Sequence, residues 1–355
     1  MRATLLVAGI ALAVLGTTWS CRKSGDAPRV LDGAGATLPL PLYAKWSTEF
    51  ALYDPTVRVN YQPLGSGAGI RQMSDGVTDF GATDEPMTDE QIARLHGDVV
   101  HIPMTVGAIV LTYNVPGLTE LRLTPDVVAD VFRGVISRWD DPRIGLANAG
   151  VTLPAQPITV VHRADGSGTS AAFATYLAKN SEAWRSDVGT GVSPRFPVGV
   201  GARGNDGVTA FVKSTPLAIG YVELAYARQA GLPTALVKNR AGVFVQPNLT
   251  SLEHAMSGLE DRIPDDLRVS LVDTTDEGAY PIAALSYLIV PRDAKDRAKG
   301  EALARFVWWG LHQGQSYAAA LDYAPLPPSI VTRAENTVRA LRADGQLVAI
   351  GRGGH

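Results

Sequence analysis

The sequence predicts an α/β fold. Strand-like and helix-like segments alternate along most of the chain, and several of the turns that lead into helices are rich in glycine. Two apolar strand-like runs, Gly107 to Tyr113 and Ala284 to Val290, lie far apart in sequence. We interpret them as paired crossings between two lobes, which makes one lobe discontinuous. The length of 355 residues and the hydrophobic content of 46% allow two domains with their own cores.

The first elements of the chain surround two glycine-rich turns, Gly33 to Ala36 and Gly65 to Gly69. A strand from 57 to 61 with alternating apolar residues separates them. Apolar residues at helical spacing follow each turn, namely Tyr43, Trp46 and Phe50 after the first, and Ile70, Met73 and Val77 after the second. Each turn is therefore predicted to open a helix.

Two polar residues mark further helix starts. A strand from Thr78 to Ala82 is followed by Asp84, and Thr88 with Gln91 predicts a capping box for the next helix. Thr124 before a proline predicts another helix N-terminus. Asp84 thus lies at the carboxyl end of a strand, where ligands bind in open α/β sheets.

The segment Arg163 to Ser170 is the most informative in the chain. It joins the apolar strand Pro157 to Val161 to a helix predicted from Ala172, Phe173, Tyr176 and Leu177. The free N–H groups and positive dipole of a helix N-terminus stabilise an oxyanion, and Arg163 adds a fixed positive charge. The alternative is an ordinary helix cap, in which Ser167 or Thr169 satisfies its own backbone.

Composition excludes some functions and indicates a compartment. A formal net charge of −3 does not suggest a nucleic-acid surface. Arg2 and the apolar run Leu5 to Leu15 predict a signal peptide over residues 1–21, and a short tether over 22–29 follows. The single cysteine, Cys21, stands where a bacterial lipoprotein signal places its lipidated residue. If Cys21 is not lipidated, it leaves with the leader. We expect an extracytoplasmic protein, lipid-anchored to the membrane through Cys21.

Several ordered motifs together resemble one family. They are Gly33-Ala34-Gly35-Ala36-Thr37, Tyr61-Gln62 with Gly65-Ser66-Gly67, Asp79 to Asp84, Ile136 to Asp141, Arg163 to Ser170, Gly199 to Val208, Ala218 to Glu223 and Leu321 to Ala324. This set resembles the phosphate-specific substrate-binding proteins of bacterial phosphate ABC transporters over nearly the whole mature chain. The resemblance implies a two-lobed type II periplasmic-binding-protein fold with the ligand cleft between the lobes and two hinge crossings.

The resemblance also implies the parts of the chain that form each lobe and the site. Lobe I comprises 30–109 and 286–355, and lobe II comprises 110–285. The implied phosphate contacts are Thr37, Leu38, Ser66, Asp84, Arg163, Ser167, Gly168 and Thr169, which we call the predicted contact set. Leu38 replaces an aromatic residue common in the family, and because the family uses the backbone N–H there, the change concerns packing more than binding. Asp165 is expected to hold the Arg163 guanidinium from behind, although a turn-forming aspartate is an alternative.

Asp84 is the residue that we expect to decide specificity. A carboxylate beside an anion is repulsive unless the ligand carries a proton to donate, and hydrogen phosphate carries one whereas sulfate at neutral pH does not. The mismatch with sulfate costs several kcal/mol, ~1–3 or more. The alternative is a helix N-cap or turn aspartate.

The sequence leaves three functional interpretations. The first is a monomeric, non-enzymatic receptor that delivers phosphate to membrane permease subunits and closes about a hinge. The second is a phosphatase or phosphotransferase with Ser167 as nucleophile, but no histidine base is evident beside that serine. The third is a receptor for sulfate or molybdate, or a phosphate sensor.

The six histidines show no metal-ligand spacing with carboxylates, so we predict no metal and no cofactor. Asn205-Asp206-Gly207 is interpreted as the cap of a helix starting near Val208, with a ligand role as the alternative. Trp308-Trp309 is interpreted as helix packing or as a feature of the domain surface.

Overall fold

The structure is a computed structural model that describes residues 27–95 and 98–350. The predicted signal peptide, with Cys21, and residues 22–26 of the predicted tether lie outside the described residues. Within the described ranges, none of the helices combines the length and the apolar character needed to cross a membrane.

The strands of the described residues form one large sheet and two small ones. They are β1 (Arg29–Gly35), β2 (Val57–Gln62), β3 (Phe80–Thr83), β4 (Val99–Tyr113), β5 (Arg122–Leu123), β6 (Thr159–Arg163), β7 (Val200–Ala202), β8 (Ala218–Glu223), β9 (Leu236–Lys238), β10 (Phe244–Val245), β11 (Ala283–Pro291), β12 (Asp293–Ala294), β13 (Arg342–Ala343) and β14 (Gln346–Leu347).

The large sheet, within the described residues, has the strand order β2-β1-β3-β11-β4-β8-β6-β7. β1 is parallel to β2 and β3, and β6 is parallel to β7 and β8. β4 and β11 are antiparallel to their neighbours. We call β2-β1-β3 the first half-sheet and β8-β6-β7 the second half-sheet. The small sheets have the orders β10-β9-β5 and β12-β13-β14.

β4 joins the two half-sheets. It pairs with β11 from Val99 to Ala108 and with β8 from Ile109 to Tyr113. Because of this alternation of directions, the strands of the two half-sheets run toward each other, and their carboxyl ends meet near the middle of β4. β4 and β11 contain the two apolar runs that the sequence marked as crossings, and both strands are longer than predicted.

Helices pack on the faces of the sheet. They are α1 (Leu40–Tyr53), α2 (Ser66–Ser74), α3 (Asp89–Ala93), α4 (Pro125–Phe132), α5 (Pro142–Gly145), α6 (Gly168–Asn180), α7 (Glu182–Asp187), α8 (Gly204–Ser214), α9 (Leu224–Ala230), α10 (Leu249–Ala255), α11 (Leu259–Arg262), α12 (Arg297–Leu311) and α13 (Pro328–Arg339), with 3-10 turns at Gln313–Tyr317 and Ala319–Leu321.

Local capping chemistry explains where several helices begin. Thr88 and Gln91 form the predicted capping box of α3, and the Thr124 hydroxyl accepts from the backbone at the start of α4. Two predicted helix bounds were wrong. α2 ends at Ser74, so Val77 lies beyond it and is 66% exposed. α8 begins at Gly204, so Asn205 lies inside the helix and does not cap it.

Aromatic side chains fill the core on both sides of β4. Trp309, in α12, packs edge-on against Trp46 of α1 at a ring separation of 6.3 Å. Beyond the second half-sheet, Phe173 of α6 stacks on Tyr221 of β8 at 4.3 Å. These contacts confirm a packing role for Trp309. They also place α1, which follows the turn Gly33 to Ala36, and α6, which follows the segment Arg163 to Ser170, against the sheet.

Candidate functional site

The predicted contact set lies where the carboxyl ends of the two half-sheets meet. Thr37 follows β1, Ser66 follows β2 and Asp84 follows β3, whereas Arg163 is the last residue of β6. Residues from distant parts of the sequence are thus brought together, as the topology of an open α/β sheet requires. The hydrogen bonds described below link the set into one cluster that spans both half-sheets.

Arg163 is held rigidly at the end of β6. Its side chain is 1% exposed, and its Nε and Nη2 donate to the two carboxylate oxygens of Asp165 at 2.8 and 2.5 Å. Asp165 also accepts from the Gly204 backbone N–H at 3.1 Å. Burial raises the pKa of Asp165, but the bond from Arg163 and its charge outweigh burial and hold that pKa below its usual range. With Nε and Nη2 of the guanidinium bonded to Asp165, further N–H groups of the planar guanidinium are left to face a ligand.

The N-terminus of α6 carries the other residues of the second half-sheet. Ser167 is the N-cap, and its Oγ accepts from Ser170 N at 3.1 Å. The interpretation of Ser167 as a helix cap is thus confirmed, and capping leaves the hydroxyl proton available to donate, so a ligand contact stays a prediction. Thr169, in the first turn, has its Oγ1 3.4 Å from Arg163 Nη1.

Ser66 connects the first half-sheet to the second. Its Oγ accepts from Gly168 N at 3.1 Å and from Asp84 N at 3.3 Å, and the side chain is fully buried. The neighbouring Gly67 N donates to Gly166 O at 3.0 Å. The turn Gly65 to Gly69 therefore touches the turn before α6 directly, and a Cβ at Gly67 would lie only 3.3 Å from Gly166 Cα.

Thr37 and Leu38 precede α1, and a tyrosine hydroxyl donates to the backbone oxygen of each. Tyr226, in α9, donates to Thr37 O at 2.6 Å, and Tyr323 donates to Leu38 O at 2.7 Å. The Leu38 side chain is fully buried, close to Gly107 of β4. Leucine thus packs within the core at the position where the family commonly has an aromatic residue.

Asp84 is the acidic member of the predicted contact set. It is 4% exposed, and its Oδ1 accepts from the Ser286 hydroxyl at 2.8 Å. Ser286 lies where the register of β11 against β4 shifts, an irregularity that re-aims a side chain. Burial raises the pKa of Asp84 to about 7, although Ser286 and Arg163 oppose this rise. Since α3 is capped by Thr88, Asp84 is not its N-cap.

Sequence reasoning missed the roles of four polar residues that contact the cluster, namely Asn205, Ser286, Tyr226 and Tyr323. Ser286 had a signal, since it is a polar residue within an otherwise apolar strand. Asn205 was misread because an Asn-Asp-Gly sequence is typical of caps. The roles of the two tyrosines become recognisable only when segments that are distant in the sequence meet.

The cluster offers many hydrogen-bond donors and one carboxylate acceptor. The hydroxyls of Thr37, Ser66, Ser167 and Thr169 each accept an N–H, so each hydroxyl proton can be donated to another group, and that of Ser66 also reaches the Asp84 carboxylate. Arg163 and the N-terminus of α6 add further donors. Asp84 contributes a carboxylate that can accept. The cluster can therefore hold a small oxyanion that carries a proton. In the described residues, no group of His, Cys, Asp and Glu has the geometry to hold a metal ion.

The fold and this cluster define the class of protein. The sequence model described as a PBP superfamily domain matches residues 22–309, so the chain is a member of the periplasmic-binding-protein superfamily, whose two lobes enclose a cleft. Within it, the chain belongs to the PstS family of phosphate-binding proteins, as its relatives establish.

Two curated relatives named phosphate-binding protein PstS have high coverage. The one from Xylella fastidiosa (strain Temecula1) is 38% identical over 307 residues, which are 86% of this chain and 84% of the relative. The one from Pasteurella multocida (strain Pm70) is 37% identical over 324 residues, 91% of this chain and 92% of the relative. The solved structure of a phosphate-binding protein from Stenotrophomonas maltophilia has the same fold, with a TM-score of 0.67 and 19% identity over 86% of this chain and 93% of that chain.

Proposed function

We propose that the protein binds inorganic phosphate outside the cytoplasmic membrane and delivers it to the permease of a phosphate ABC transporter. One observation carries the proposal, namely the set of hydroxyls polarised to donate around the single acidic member, Asp84. Monohydrogen and dihydrogen phosphate match this set because they accept from many donors and donate one proton to a carboxylate. The names of the relatives support the same ligand.

In this proposal, the ligand contacts are Thr37, Leu38, Ser66, Asp84, Arg163, Ser167, Gly168 and Thr169. Asp165 acts behind Arg163, whose guanidinium it orients. Hydroxyls and helix N–H groups bind the bare phosphate oxygens, and Asp84 accepts from the protonated one. A raised pKa of Asp84 does not contradict this role, since the proton can lie on either partner of the hydrogen bond.

The lobes are proposed to be 30–109 with 286–355, and 110–285. Contacts between these two parts, such as Ser66 with Gly168 and Thr37 with Asn205, form the closed cleft. Opening about β4 and β11 would separate them and admit the ligand. Closure would bury the ligand, and the closed shape is the one we expect to dock on the permease.

We propose a receptor and not an enzyme. Ser167, the nucleophile in the phosphatase interpretation, has its oxygen engaged by the Ser170 N–H at the start of α6.

A lipid anchor at Cys21 is part of the proposal, and intact-mass analysis of the membrane fraction tests it. An unmodified mature chain in the soluble fraction would contradict the anchor and leave the binding function untouched.

Calorimetric titration of the ligand-stripped mature protein with phosphate and then sulfate tests the function, together with the variant Asp84→Asn. In this variant, the Ser286 hydroxyl would still donate to the side-chain oxygen at position 84. The new amide NH₂ group would then face the ligand as a donor, where the wild type has an acceptor. We expect phosphate binding to weaken by about tenfold or more, since a charge-assisted hydrogen bond of ~1.5–3 kcal/mol is lost, while sulfate binding improves.

The matched control is Asp273→Asn, at a buried aspartate that bonds Asn180 elsewhere in the fold. It should leave both affinities unchanged. An unaltered preference for phosphate over sulfate in Asp84→Asn would show that our account of selectivity is wrong, and tight binding of sulfate by the wild type would redirect the function to another oxyanion.

A further inference from the structure

Asn205 has a defined orientation at the junction of the half-sheets. It is the second residue of α8 and is fully buried. Its Oδ1 accepts from Glu223 N at 3.1 Å. Because a backbone N–H can only donate, this contact fixes which end of the carboxamide is the oxygen. The amide NH₂ group must therefore face the opposite side, where two threonines lie.

Both threonine hydroxyls are held as acceptors. Asn205 Nδ2 donates to Thr37 Oγ1 at 2.9 Å and lies 3.4 Å from Thr169 Oγ1. Thr37 Oγ1 also accepts from Asn205 N at 3.3 Å, and Thr169 Oγ1 from Arg163 Nη1 at 3.4 Å. A hydroxyl oxygen accepts two hydrogen bonds and donates one. With both acceptor positions occupied, each hydroxyl proton is directed away from Asn205.

We propose that Asn205 is a positioning residue for phosphate, which turns the hydroxyl protons of Thr37 and Thr169 toward the ligand. The inference rests on the proposed function and adds a residue outside the predicted contact set. Thr37 follows β1 and Thr169 lies in α6, so Asn205 joins the two half-sheets as well. The donor set is complete only when the cleft is closed, and closure and anion recognition are therefore one event.

Asn205→Asp tests the direction of the protons. The variant keeps the shape and can keep the Glu223 N–H bond through one oxygen, but it presents an acceptor to both hydroxyls. The hydroxyls then turn and donate to the introduced carboxylate in place of the ligand, and a negative charge is added beside the anion. We expect the phosphate Kd to rise at least a hundredfold. Asn205→Ala removes the constraint without reversing it, and we expect a rise of about tenfold.

A double-mutant cycle separates positioning from a merely structural role. Thr169→Val removes one hydroxyl, and we expect it to raise the phosphate Kd about tenfold in the wild type but only about threefold in Asn205→Ala, where that hydroxyl is no longer aimed. A purely structural Asn205 gives the same ratio in both backgrounds. Asn148→Ala is the matched control, because Asn148 is a buried asparagine that bonds Arg122 and Ile144 away from the cleft. It should lower the melting temperature and leave the phosphate Kd unchanged.

The outcomes are distinguishable. Wild-type protein that fails to bind phosphate overturns the proposed function and this inference with it. Wild-type protein that binds phosphate, with Asn205→Asp binding as tightly or with equal Thr169→Val ratios in the two backgrounds, overturns the inference alone. If Asn205→Asp does not fold, the cycle built on Asn205→Ala still decides.

Discussion

Replacing Gly168 by alanine should keep the two half-sheets from closing while each stays folded. The Cβ added at Gly168 would lie 2.7 Å from Asp84 Cβ and from Ser66 Oγ, and 2.9 Å from Asp84 N. Since Gly168 begins α6 and the other two residues belong to the first half-sheet, the overlap can be relieved only by moving the half-sheets apart. That movement also breaks the 3.1 Å bond from Gly168 N to Ser66.

The magnitude follows from these two losses. Overpacking of this kind costs ~1–3 kcal/mol, and the lost hydrogen bond adds about 1 kcal/mol. A closed form destabilised by ~2–4 kcal/mol raises the phosphate Kd by about 30- to 1000-fold. Calorimetry gives the Kd, and small-angle scattering with and without phosphate reports whether the molecule still compacts.

Gly145→Ala is the control for this prediction. Gly145 ends α5, and nothing lies within 4 Å of the Cβ that alanine would add there. It should bind phosphate as the wild type does. Gly168→Ala with a Kd within about threefold of the wild type, or with normal compaction on binding, would refute the argument that closure depends on this close approach.

Two further predictions concern pH and a contact outside the cleft. Because burial raises the pKa of Asp84 to about 7 from its usual 3.8, the folded ligand-free protein holds this proton more tightly than the unfolded chain does. The associated stability is present below pH 3.8 and is lost as pH rises through about 7, so Asp84→Asn should flatten the fall in melting temperature over that range, and equal slopes in both proteins would contradict this. Arg268 donates to Met87 O at 2.7 Å and thereby links the two proposed lobes. Arg268→Ala should weaken phosphate binding by about two- to tenfold, since one hydrogen bond contributes ~1 kcal/mol, and an unchanged Kd would mean that this segment moves with lobe I.

Features that depend on neighbouring residues in the chain were predictable from the sequence. The capping box at Thr88, the cap at Thr124 and the two long apolar strands are all present, because hydrogen-bonding groups a few residues apart and apolar runs leave a direct signature. The convergence of glycine-rich turns followed from the general topology of α/β sheets. The PstS family was recognisable for the same reason, since its motifs are local.

Features that arise when distant segments meet were not predictable. Gly204 adopts a φ of 71° and starts α8 early, which moves Asn205 from a cap into the contact between half-sheets. The register shift beside Ser286 aims its hydroxyl at Asp84, and no pattern in the strand encodes that shift. The assignment of individual phosphate contacts stays a prediction until the variants are measured.

The shared strand β4 has a consequence for how the molecule comes apart. All 15 of its residues are buried, and its first part pairs with β11 whereas its last part pairs with β8. Loss of either half would leave a long apolar strand edge open to water, which is an aggregation hazard. The two lobes are therefore expected to form a single cooperative unit, with the amide hydrogens of β4 among the last to exchange with solvent. The lobes that we propose to move apart to admit the ligand are therefore expected to unfold together.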